Sequence, residues 1–99
     1  MLKNFRTYQL AVQFFKLTKE IPIKGELKKQ LHRASSSIVL NLAEGAGKFH
    51  YSAEAKRFYR ISLGSLRESQ AILDISEKAT QEILQVADKL GAHLYRLSL

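Results

Sequence analysis

Three histidines, a run of serines and one glycine-rich stretch are the residues here whose types could do chemistry. Their spacing argues against most of it. His32, His50 and His93 fall on separate segments, and none stands four residues from a second ligand, as a metal pair on a helix requires. "EGAG" at 44–47 has the composition of a phosphate loop, but it closes a helical pattern and follows no strand. A helix C-terminus presents the negative end of the backbone dipole, which repels phosphate. Ser35, Ser36 and Ser37 have no histidine and acid at a spacing that argues for a nucleophilic triad. The chain therefore reads as non-enzymatic, with no catalytic residue, metal ligand or cofactor expected.

Polar and basic chemistry remains. Asn41 and Glu44 lie one helical turn apart, with Arg33 two turns before Asn41. Such a cluster either touches a partner or forms an internal network. The internal network is the favoured reading, with Glu44 paired to one of Arg33, Arg57, Arg60 and Arg67 or accepting hydrogen bonds from a neighbouring helix. Lys28, Lys29, His32 and Arg33 pair up at four-residue intervals. At about 100° per residue, Lys56, Arg60 and Arg67 project within about 40° of one another. Lys48 and His50 sit in the loop between these segments. Lys28, Lys29, Arg33, Lys48, Lys56, Arg60 and Arg67 are thus a candidate phosphate-binding surface. No stripe of stacking aromatics or reading motif accompanies them, and a solvated helix face that keeps the protein soluble is an equal explanation.

The elements that position these groups follow from periodicity. Ninety-nine residues make one domain, 1–99, and nothing alternates with period two over a strand's length. The first helix is predicted from about Thr7 to Lys19, with two apolar stripes, and Pro22 and Gly25 end it. The second starts near Glu26 and buries Leu27, Leu31, Ala34, Ile38 and Leu42, with Gly45 or Gly47 as a left-handed cap. Ser52 is the natural N-cap of the third, which runs to about Glu77. It too carries two stripes: Phe58, Ile61, Ile72 and Ile75 on one, Tyr59, Leu63, Leu66 and Leu73 on the other. The fourth places Ala79, Ile83, Ala87, Leu90, Leu94 and Leu97 on a near-heptad seam. Short loops predict an all-α, antiparallel up-down-up-down four-helix bundle. Doubled stripes predict self-association, one stripe facing the core and the other a second subunit.

The small residues have a packing role in this reading. Ala34 to Ser37 on one helix, and Gly64 with Ser65 on the next, let two helices approach closely while each hydroxyl bonds a carbonyl one turn back. Ser37, Gly64 and Ser65 are the expected points of close packing.

The chain has no cysteine, so disulfides and thiolate sites are excluded. Residues 1–22 hold no uninterrupted apolar run, so no signal peptide or membrane partner is expected, and a cytoplasmic location is. The net charge of +7 is uneven: residues 1–67 hold thirteen Lys or Arg and four Glu, residues 68–99 three Lys or Arg and five acids. That imbalance suits a polyanion-facing side.

"RASSSIVLNLAEGAGK" followed by "RFYRISLGSLRESQAIL" resembles the four-helix-bundle family named for the protein encoded in intervening sequences of large-subunit ribosomal RNA. The family pattern falls on Arg33, Ala34, Ser37, Ile38, Asn41, Ala43, Glu44 and Gly45, then on Gly64, Ser65, Leu66 and Glu68. Val39 stands where many relatives have proline, and the loop "FHYSAEAKRF" departs from the commoner form. The resemblance implies a homo-oligomer, in particular a ring-like pentamer. A related branch, the accessory variability proteins of diversity-generating retroelements, implies RNA or DNA and a reverse transcriptase, or another protein encoded nearby, as partners. The competing expectation is a protein-interaction scaffold with no nucleic-acid role.

Overall fold

The periods read from the sequence become four helices: α1 (Arg6–Thr18), α2 (Gly25–Ala46), α3 (Ala53–Ser76) and α4 (Gln81–Leu97), with a short 3₁₀ turn at Leu2–Asn4 ahead of them. They are seen in a computed structural model that describes residues 2–99, and no strand forms among the described residues. Two helix starts are fixed by side chains. The Ser52 hydroxyl accepts from the Ala55 N–H at 3.1 Å, and the Thr80 hydroxyl from the Ile83 N–H at 3.2 Å. Because Thr80 is the cap, α4 begins after Ala79, which packs from the linker instead.

The glycine expectation at the end of α2 needs correcting. Gly45 is still helical and buried, and Gly47 closes the helix at φ −83 rather than left-handed. Its N–H bonds back to the last-turn carbonyls, so no αL residue is required. The left-handed positions are Gly25 (φ 66), Tyr51 (φ 62) and Glu77 (φ 57).

From α2 to α3 and from α3 to α4, partner numbers fall as residue numbers rise. Arg33 meets Glu68, Ser37 meets Ser65, Ile38 meets Ser62 and Gly45 meets Tyr59 across α2 and α3. Arg60 reaches Ser98 and Arg67 lies at Gly91 across α3 and α4, while Thr7 bonds His93 across α1 and α4. Phe14, Leu10, Ile38, Leu42, Leu66, Leu73, Ile83, Leu90 and Leu94 are the large side chains at the centre. Between α1 and α2, Ile21 and Ile23 are buried on either side of exposed Pro22, and the Ile23 N–H donates to the Ile21 carbonyl at 2.9 Å. That is the geometry of a γ-turn, and it drives two linker side chains into the core.

The doubled stripe of α3 separates only in part, since Phe58 and Ile72 of the outer stripe are themselves half-buried and buried. Tyr59, Leu66 and Leu73 are buried with Ile72 and Leu63 is half-buried, whereas Ile61 and Ile75 remain exposed. Leu40 on α2 stands exposed at the level of Ile61. No helix among the described residues is long and apolar enough to cross a membrane.

Every Ser and Thr hydroxyl among the described residues makes a hydrogen bond. Ser35, fully buried, donates to the Leu31 carbonyl at 2.7 Å and lies 3.3 Å from the Thr18 hydroxyl. Ser62 donates across to the Ile38 carbonyl at 2.8 Å, and Ser69 back to the Ser65 carbonyl at 2.9 Å. Gly64, by contrast, is exposed, and a Cβ built there meets nothing within 4 Å. The expected squeeze falls on Gly45, where an added Cβ would sit 2.6 Å from the Tyr59 ring. The reason is register: Ser62, Leu66 and Ser69 occupy the inward face of α3, and Gly64 lies about 160° from Ser62 on the helical wheel.

Candidate nucleic-acid interface

Folding sorts the basic residues by their place along the bundle rather than by their place in the sequence. Lys28 and Lys29 are exposed on the first turns of α2. Arg33, farther along, is tied to Glu68 by the one ion pair among the described residues, at 2.6 Å. Arg67 lies mid-way along α3, against Gly91 of α4, and donates to the Gln70 side chain at 2.8 Å. Lys48, Lys56 and Arg60 lie at the other end. The seven predicted residues are therefore spread along the length of the bundle.

That other end is where positive charge accumulates. The first turns of α1 and α3, the last turns of α2 and α4, and the α2–α3 loop converge there. Leu2, Phe5, Ala46, His50 and Tyr59 border one groove, Thr7 touches His93, and Arg60 donates to the Ser98 carbonyl at 3.1 Å. Lys3, Arg6, Lys48, Lys56, Arg57, Arg60 and Arg96 are carried to this end, against only Glu44 and Glu54. The opposite end mixes its lysines with Glu20, Glu26, Asp74, Glu77 and Glu82. The unevenness seen along the sequence is thus an unevenness between bundle ends, and Arg96 of the acid-balanced tail belongs to the basic one.

Sequence reasoning passed over the aromatics of this end. Phe49 and Tyr51 stand exposed in the loop, with the His50 ring 4.1 Å from that of Tyr51. Phe58, half-buried, lies beneath two cations, with Lys48 Nζ 5.6 Å and the Arg57 guanidinium 4.6 Å from its centroid. The signal lies in the basic and aromatic residues set side by side in "KFHY" and "KRFY". A loop has no helical stripe, so periodicity does not reveal it.

The polar cluster takes a form different from the expected one. Asn41 donates to both the Ser37 carbonyl and the Ser37 hydroxyl at 3.0 Å, and that hydroxyl lies 2.8 Å from Ser65. Glu44 is exposed and takes no part, because its position turns it toward solvent beside the loop. At the basic end, His93 shares a hydrogen bond of 3.0 Å with Thr7. Desolvation, then the charges of Arg96 and Arg6, hold the His93 pKa below its ordinary value. Burial pushes the Tyr59 phenol up. The histidines are otherwise dispersed, and no three His, Asp or Glu residues among the described ones converge to hold a metal ion.

The family model described as 23S rRNA-intervening sequence protein matches residues 5–98. Searches of curated proteins and of solved structures found no match.

Proposed function

We propose that this chain, which belongs to the 23S rRNA-intervening sequence protein family, is a non-enzymatic accessory protein that binds RNA or DNA through phosphate contacts at its basic bundle end. One observation carries the reading. Among the described residues only Arg33 of the sixteen Lys and Arg has a carboxylate partner, and the seven cations of the basic end stand against two carboxylates, where the six lysines of the other end stand against five. Like charges held together are mutually repulsive, and a polyanion relieves that repulsion by neutralising them and releasing its own counterions.

The falling partner numbers support an up-down-up-down order of the four helices. Exposed Leu40 and Ile61 at one level of α2 and α3, beside Gly64, support a homo-oligomer built on that face. Light scattering at micromolar protein tests the assembly: a multiple of the chain mass is expected, and a compact monomer overturns it.

The binding test is an anisotropy titration at low salt with labelled RNA and DNA. Lys48, Lys56 and Arg57 are changed together to glutamine, and Lys24, Lys28 and Lys29 together in a second variant. Arg60 is spared because it also holds the Ser98 carbonyl. The first variant is expected to bind every sequence more weakly, and the second to bind nearly as wild type. Absence of binding by the wild type refutes the function, and a larger loss in the second variant moves the site to the start of α2.

A further inference from the structure

The α2–α3 loop, "GKFHYS" at 47–52, contradicts ordinary turn chemistry. The Ser52 N–H donates to the Phe49 carbonyl at 3.0 Å, closing a β-turn in which Tyr51 takes the third position at φ 62. That position favours glycine or asparagine. Here a tyrosine holds the left-handed backbone, and no burial compensates, since 78% of Tyr51 is exposed. Phe49, at the first position of the turn, is 89% exposed. Two aromatic rings therefore stand in water on a backbone that one of them strains, which points to a use outside the fold.

Their surroundings decide the use. Lys48 precedes the turn, Lys56 and Arg57 follow it on α3, and Glu54 is the one carboxylate in the first turn of that helix. Rings flanked by cations fit a ligand made of flat apolar faces joined by phosphates. We propose that loop 47–52 is a stacking platform for the unpaired bases of single-stranded nucleic acid, with Lys48, Lys56 and Arg57 holding the phosphates on either side. A duplex buries its base faces against one another and offers the rings nothing, whereas every unpaired base has a face to stack. The platform is therefore indifferent to sequence and selective for strandedness. This deepens the nucleic-acid function and rests on it.

The test uses labelled oligouridylate, oligothymidylate and a duplex of the same length, each of about a dozen nucleotides, within the range one small domain covers. The variants are Phe49→Ala and Tyr51→Gly, singly and together. Tyr51→Gly removes the ring and also suits φ 62, so the turn itself is not strained by the substitution. Each substitution is expected to weaken single-strand binding about five- to a hundredfold, as loss of one stacked base does. Duplex affinity, the salt dependence and the particle mass are expected to stay as in wild type. The uridylate and thymidylate arms tell whether RNA or DNA is preferred. Wild-type binding unaltered by both substitutions overturns the platform and leaves the phosphate-binding function standing. A fall in particle mass instead assigns the rings to a protein contact and equally overturns it. A wild type that binds none of the three probes removes the function and the platform together.

Discussion

Three helical glycines differ in what a methyl group would meet, and alanine at each gives a graded prediction. At Gly64 a Cβ meets nothing within 4 Å, so Gly64→Ala gains only helix propensity, about 0.8–1.0 kcal/mol. At Gly91 the nearest atom is the Arg67 Nη1 at 3.3 Å, the far end of a flexible side chain, so a small shift accommodates it and the result is near neutral. At Gly45 the Cβ would lie 2.6 and 2.9 Å from two carbons of the Tyr59 ring and 3.1 Å from the Ala55 carbonyl oxygen. Tyr59 is only 8% exposed, so any retreat of its ring disturbs the side chains packed against it. Gly45 is also the second-last residue of α2, where propensity counts least. Overpacking then costs a net of about 1–3 kcal/mol. Since about 1 kcal/mol moves the melting temperature of a domain this size by roughly 4–8 °C, the variants should melt in the order Gly45→Ala, Gly91→Ala, Gly64→Ala, lowest first. Thermal melting followed by circular dichroism reads this directly. A Gly45→Ala protein that melts at or above wild type refutes the close approach of α2 to α3 at this level.

Other outcomes follow from the same geometry. Ser62→Val should cost about 1–3 kcal/mol in urea unfolding, because it leaves no donor for the Ile38 bond and crowds a fully buried site. Ser37→Phe should be comparably destabilising, since Ser37 meets both Ser65 and Asn41; wild-type stability would sink that network. Gly64→Leu should leave the fold intact and reduce the particle mass if the α2–α3 outer face is a subunit contact. His93 stays neutral in the fold to a lower pH than in the unfolded chain, where it titrates near 6.5. Stability should be complete above that value and fall as pH drops from it toward the lowered folded pKa, because the unfolded chain takes up the proton first. His93→Gln should flatten that part of the stability–pH profile, and an unaltered slope assigns the loss to other groups.

Helix existence was legible because period 3.6 is a local signal: the Leu31, Ala34, Ile38 and Leu42 stripe of α2 is buried throughout. Ser52 as a cap was legible for the same reason. What escaped depends on how one helix faces another. Nothing in the sequence says that Gly45 rather than Gly64 meets a neighbouring ring, since both are glycines in helices with apolar neighbours. Ile21 and Ile23 carry no periodic signal around Pro22, yet both are buried. The basic residues were legible as a set but not as a place. Helix packing brings Arg6, Lys56, Arg60 and Arg96 to one end from three helices, while separating Lys28 and Lys29 from Lys48, their apparent companion.

If phosphate contacts at the basic bundle end bind nucleic acid, the salt slope of binding must report them. Affinity for one duplex is measured from about 50 to 200 mM salt, for wild type and for the Lys48, Lys56 and Arg57 triple variant. Each neutralised phosphate contributes about 0.9 to the slope of log affinity against log salt. The wild type is therefore expected to fall steeply, and the triple variant to be shallower by about two to three units. A flat wild-type line, or equal slopes for the two proteins, contradicts the account.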